Sequence, residues 1–306
     1  MRNSLLWVYE GMTEYYGYVL TARSGMCTAA QTRDLIAGIA ANFDINPGRK
    51  WRTLEDTTNQ PTISQRTPVS WVSWQRPEDY YTEGLLIWLD ADTKIRELSG
   101  DKKSLDDFAK LFYGIDNGSY ITRIYTFDDI VAALNQVQAF DWATFLHKRV
   151  DELAPETPKD GITRGGYRLS YSDTPPDWLK AVEQAEAAEA EDSESKPTTN
   201  FSTSLGFTIK SDGSLTNVWW DGPAFKVGMT PDMHLVAQNG AAYSATALKQ
   251  AIISAESSKE PIHLIVKRAR EIKNIDIDYH GGLRYPKLER IEGTPDRLDE
   301  ILAPGK

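Results

Sequence analysis

Apolar residues recur at positions 5, 8, 9, 12, 15, 16 and 19, the spacing of a single helix face. The pattern predicts a first helix over residues 4–24, with Gly25 placed for the left-handed turn that ends it. A second periodic run covers residues 28–43 and stops at Asn46-Pro47-Gly48. Residues 49–76 lose the periodicity, and Trp51, Trp71 and Trp74 are read as anchors of a long loop. Pro77-Glu78-Asp79 opens a third helix, because proline and acids suit a first turn, and that helix runs to Ser99 before Gly100. Ser104 with Asp107, and Thr126 with Asp129, have the spacing of capping boxes, and Asp141 caps a last helix ending near Leu153.

The pattern changes after Ala154-Pro155-Glu156-Thr157-Pro158. Residues 165–171 alternate as a strand does. Residues 177–196 are rich in alanine and glutamate, as in an exposed helix or an insertion. From Ser202 onward, short strand-like runs are separated by Gly, Pro and Asn turns. One helical run at 245–255 interrupts them, and Ile262-His263-Leu264-Ile265-Val266 reads as a buried strand.

Composition narrows the function classes. A net charge of −10 argues against nucleic acid as a partner, since phosphate binding needs a basic face. No apolar run has the length of a transmembrane helix, and no secretory signal precedes the first amphipathic segment. Cys27, the one cysteine among 306 residues, rules out an internal disulfide and a cysteine-rich zinc site.

The first helix carries Trp7-Val8-Tyr9-Glu10-Gly11. This resembles the Trp-x-x-Glu-Gly element of gluzincin metallopeptidases. The third carries Tyr81-Thr82-Glu83-Gly84, similar to the Tyr-x-x-Gly found downstream in related aminopeptidases. The resemblance implies Glu10 as the third zinc ligand and Tyr81 as hydrogen-bond donor to the oxyanion, with Tyr80 as the alternative tyrosine. Two imidazoles and a carboxylate hold such a metal and leave one position for water. Here the His-Glu-x-x-His partner is missing: His147, His234, His263 and His280 include no pair four apart. The chain is then a fragment, a degenerate relative, or one in which Glu10 is an ordinary acid, and truncation is the favoured reading. Glu14, a turn further on, reads as a solvent-facing acid or a partner for a base such as Arg23. The three downstream histidines read as strand-surface residues.

Ser204-Leu205-Gly206-Phe207 looks like the carboxylate-binding loop of a PDZ domain. Residues 221–229, 232–240, 245–255 and 262–267 follow in the order expected of one. The resemblance implies that Ser204, Leu205, Gly206 and Phe207 bind a peptide terminus. Residues 282–290 and 295–304 resemble the end of bacterial glycyl aminopeptidases, a gluzincin zinc metallopeptidase family with a C-terminal PDZ domain.

The expected fold is a multidomain α and β chain. Its all-α C-terminal part of a thermolysin-like catalytic domain spans 1–158. A PDZ-like β domain over 159–269 follows, with an insertion at about 172–200, and then a C-terminal extension over 270–306. The expected function is the C-terminal portion of a zinc-dependent aminopeptidase that cleaves small N-terminal residues, glycine or alanine, from peptides. On this reading zinc belongs to the full-length parent, and this chain, lacking the metal-binding helix, binds none and is inactive. The alternative is a non-catalytic PDZ-type module on a helical scaffold, binding C-terminal peptides. The compartment, bacterial periplasm or cytoplasm, is left open.

Overall fold

The computed structural model describes residues 3–304 except 66, 117, 154–155 and 190–195. Met1, the Ala154-Pro155 pair and part of the expected insertion lie outside the described residues. The helical half contains α1 (Leu6–Arg23), α2 (Ala29–Asp44), the one-turn helices α3 (Leu54–Thr57), α4 (Gln60–Ser64) and α5 (Val72–Gln75), and α6 (Thr82–Ser99). There follow α7 (Leu105–Tyr113), α8 (Phe127–Val137), α9 (Trp142–Val150) and the short α10 (Asp160–Arg164). The second half holds β1 (Tyr167–Ser172), α11 (Asp177–Glu189), β2 (Thr198–Asn200), β3 (Phe207–Lys210), β4 (Leu215–Val218) and α12 (Pro223–Lys226). It continues with β5 (His234–Gln238), β6 (Ala241–Ala242), α13 (Ala245–Ser258), β7 (Ile262–Arg268), β8 (Glu271–Ile277), β9 (Tyr285–Arg290) and α14 (Arg297–Leu302). No helix among the described residues is long and apolar enough to cross a membrane.

Local chemistry sets the helix starts. Thr28, Ser104 and Thr126 each close a capping box, with the N3 side chain returning to the cap backbone, and Asp141 accepts from the Thr144 N–H. Gly100 ends α6 in the left-handed region at φ 63°. The third helix begins at Thr82 and not at Pro77, because residues 77–81 form a turn held by side chains described below. The last capped helix stops at Val150.

Two apolar cores result. One gathers Trp7, Met12, Tyr15, Leu86, Trp88, Phe108, Leu134 and Trp142 from the helices, together with Tyr167 and the α14 residues Leu298, Ile301 and Leu302. The other joins Phe201, Leu205, Phe207, Met229, Leu235, Ile252, Leu264 and Val266. Among the described residues, three antiparallel sheets have the strand orders β1-β9, β2-β3-β4 and β6-β5-β7-β8.

Two expected divisions therefore need correction. Residues 167–172 pair with 285–290 and pack on the helical core, through Leu169 and Leu288, so they are not the first strand of the β-rich unit. The boundary at 269 falls inside a hairpin: β8 pairs along its whole length with β7 and contributes Ile275 and Ile277 to the second core. Its first four residues are exposed, with Ile272 on the outer face and Lys273 in the inward register, which masked the alternation in the sequence. The chain end returns to the helices instead of extending away from them. Arg23 donates to the Ile301 carbonyl at 2.8 Å, and Arg33 pairs with Asp299.

The tryptophan-rich segment is not a free loop. Trp74 stacks on Trp220 with ring centroids 5.0 Å apart, and Trp71 meets Trp220 and Phe225 edge-on at 5.5 Å each. The Trp220 N–H donates to Ser73 Oγ at 3.0 Å. These rings join the helical half to the β-rich unit.

Candidate active site

The site is built where α1 crosses α6. A methyl group on Gly11 would lie 2.7 Å from the Gly84 Cα, and one on Gly84 would lie 2.7 Å from the Gly11 Cα. Only two glycines allow backbones this close. On either side of the crossing Trp7 stacks on Trp88 at 5.6 Å, with the Trp88 indole N–H aimed at the Trp7 carbonyl, 3.4 Å away. The glycine that weakens the helix interior in the sequence is thus the point of helix contact.

Each glycine belongs to one of the two motifs, and the crossing brings their polar residues together. Glu10 precedes Gly11 and Tyr81 lies one turn before Gly84. The Tyr81 phenol lies close enough to the Glu10 carboxylate for the two groups to interact. Burial, and next the charge of Glu10, push the Tyr81 phenol pKa up, which keeps it a proton donor at neutral pH. Tyr80 packs its ring 4.7 Å from that of Tyr81 but is buried, whereas Tyr81 is only half-buried and reaches the shared face. Glu14 is partly buried, and that burial, and next Glu10's charge, raise its pKa. Arg23 instead pairs with Asp106 at 2.9 Å.

A gluzincin zinc site needs two imidazoles beside the carboxylate. Among the described residues no three or more His, Cys, Asp or Glu side chains stand close enough to hold a metal ion. His147 contacts Asp151, His263 contacts Asp276 at 2.7 Å, and His280 contacts Asp278 at 2.7 Å. None of these groups is at Glu10. The residues present therefore do not make a zinc centre by themselves, and no catalytic step through a metal is assigned to them.

Composition gave no sign of the charged cluster beneath the site. Glu83 pairs with Arg49 through one carboxylate oxygen and with Arg76 through the other, and all three side chains are 2 % exposed. Arg76 Nε also holds Asp79 at 2.7 Å. Arg52 donates to Gln60 at 2.9 Å and to the Gln75 carbonyl at 2.8 Å. The signal available in the sequence was the crowding of Arg49, Arg52, Arg76, Asp79 and Glu83 around an apolar helix start.

In the β-rich unit, Leu205 and Phe207 are fully buried and Ser204 is nearly so. Strand β3 is paired on both edges, with β2 on one side and β4 on the other. The loop amides of Ser204 and Gly206 donate to the Phe201 carbonyl at 3.1 and 2.9 Å. Ser204 Oγ accepts from the Arg284 N–H at 3.1 Å. The four predicted peptide-binding residues thus lie together, but the groups that would meet a ligand are engaged by the chain itself.

The chain superposes on the crystal structure of an aminopeptidase N family protein from Idiomarina loihiensis with a TM-score of 0.71 at 20% identity. The match covers 99% of this chain and 49% of that one, so the chain spans about half the length of that protein. The fold is that of an aminopeptidase. Residues 1–87, which carry both Glu10 and Tyr81, match the family model of the M61 glycyl aminopeptidases. No curated protein matches the chain.

Proposed function

We propose that this chain is the part of a zinc-dependent aminopeptidase that supplies the Glu10 carboxylate and the Tyr81 phenol. The longer protein removes small N-terminal residues, glycine or alanine, from peptides, and the chain alone is inactive. The observation that carries the reading is the contact between Glu10 and Tyr81 at the Gly11–Gly84 crossing. In the longer protein Glu10 would hold the metal beside two imidazoles, and zinc would supply the activation of water. Tyr81 donates to the oxyanion as the substrate carbonyl becomes tetrahedral, a preorganised interaction whose loss costs about 10²–10³ in kcat.

The test compares the chain with a longer protein that restores an upstream His-Glu-x-x-His segment. The longer protein is expected to bind one zinc and cleave a glycyl arylamide, and Tyr81→Phe is expected to lower its kcat by about 10²–10³ without releasing the metal. Tight one-to-one zinc in the short chain would overturn the proposal, as would an inert longer protein with the motif intact.

The β-rich unit is read as a PDZ-like brace, and not as a receptor. Receptors of this kind add a peptide strand to a free sheet edge and hold its carboxylate with free loop amides. Here β2 covers that edge of β3, and the Phe201 carbonyl takes up two of the amides. Titration with free-carboxylate peptides is expected to give no saturable binding. Binding that disappears on amidation of the peptide would restore the receptor reading.

A further inference from the structure

Helix α5 is a single turn bounded by two bulky residues in the left-handed region, Trp71 at φ 57° and Arg76 at φ 47°. Backbone of this kind is strained at non-glycine residues and persists only where the surroundings hold it. The two ends are held by different parts of the molecule. Trp71 is fixed by the β-rich unit, edge-on to Trp220 and Phe225, while Trp74 stacks on Trp220 and Ser73 accepts from its N–H. Arg76 is fixed from the helical side by Asp79, Glu83 and the Arg52 carbonyl.

Arg76 grips the residue two before Tyr81 and the residue two after it. The Glu83 N–H also donates to the Asp79 carbonyl at 2.8 Å, so the segment 79–83 is pinned as a closed turn. The Arg76 stem packs directly on Gly48, where an added Cβ would come within 2.5 Å of its Cγ.

We propose that α5 is a clamp through which docking of the β-rich unit positions Tyr81, with Arg76 as the positioning residue and Trp220 as the anchor. When Trp220 is removed, Trp71 keeps only its edge contact with Phe225, Trp74 loses its stacking partner, and α5 relaxes toward ordinary backbone. Arg76 then shifts relative to Asp79 and Glu83, and the Tyr81 ring gains a second orientation. The catalytic meaning of this positioning rests on the role proposed above for Tyr81, but the coupling itself does not.

The test uses the full chain with 3-fluorotyrosine at position 81 alone, read by fluorine NMR. The unsubstituted clamp is expected to give one line, and Trp220→Ala two lines of comparable intensity. Trp220→Phe keeps an aromatic ring in the stack and is expected to restore the single line. Phe145→Ala, in a helix end where Phe145 packs on Phe140 and Trp142, is expected to lower stability and leave the line unchanged. A single unshifted line in folded Trp220→Ala would overturn the proposal. Should that variant not fold, Trp71→Gly decides: it tolerates the left-handed backbone while removing the ring that Trp220 holds, and an unshifted line there overturns the proposal equally. Activity of Tyr81→Phe in the longer protein tests the catalytic role separately, so either idea can fail while the other stands.

Discussion

Glu83→Ala is expected to destabilise the chain by about 3–5 kcal/mol, the usual loss when one member of a buried ion cluster is removed. The carboxylate serves Arg49 and Arg76 at once, and all three side chains are almost wholly excluded from water. Its removal leaves two guanidinium charges facing each other in a site water does not reach. Exposed pairs behave differently: Lys94 and Glu97 lie 2.7 Å apart on the surface, where such a pair contributes only about 0–1 kcal/mol. Urea denaturation of Glu83→Ala beside Glu97→Ala measures both effects on one scale. Losses of similar size would mean that the cluster is hydrated in solution and does not hold the start of α6. Arg76→Met is expected to fall between them, since it removes one of the facing charges and keeps most of the stem that packs against Gly48.

What could be read in the sequence was local chemistry. Capping side chains act within three residues, so Thr28, Ser104, Thr126 and Asp141 could be placed without knowing the fold. Glu10 and Tyr81 were found through short motifs whose glycines sit next to, or one turn from, the polar group. What those glycines do was not legible, because Gly11 and Gly84 are 73 positions apart and nothing local marks them as neighbours. The same holds for β1 and β9, which meet across more than a hundred residues. Buried charges were not legible for a different reason. Arg49, Arg76 and Glu83 count as surface residues in any composition argument, and only their mutual pairing makes burial tolerable. Residues 71–76 defeat pattern reading altogether, since nothing about a tryptophan or an arginine announces left-handed backbone.

Gly84→Ala is expected to cost about 1–3 kcal/mol or more, as overpacking a tight contact does, and to part Glu10 from Tyr81. The added methyl would meet the Gly11 Cα at 2.7 Å and the Trp7 carbonyl oxygen at 3.1 Å. Both obstacles are backbone, so no side chain can swing aside, and α1 must move off α6. That movement opens the Trp7–Trp88 stack and carries Glu10 away from the phenol in one step. Gly17 supplies the control, because it lies in the same α1 with nothing within 4 Å of where its methyl would go. Gly17→Ala is therefore expected to stabilise by about 0.5–1 kcal/mol, from helix propensity alone. Thermal melts of the two variants should move in opposite directions. A stabilised Gly84→Ala would mean that the helices do not touch at these glycines. The approach of Glu10 to Tyr81 would then rest on the Trp7–Trp88 stack and the Tyr15–Asp92 hydrogen bond, the other links between α1 and α6.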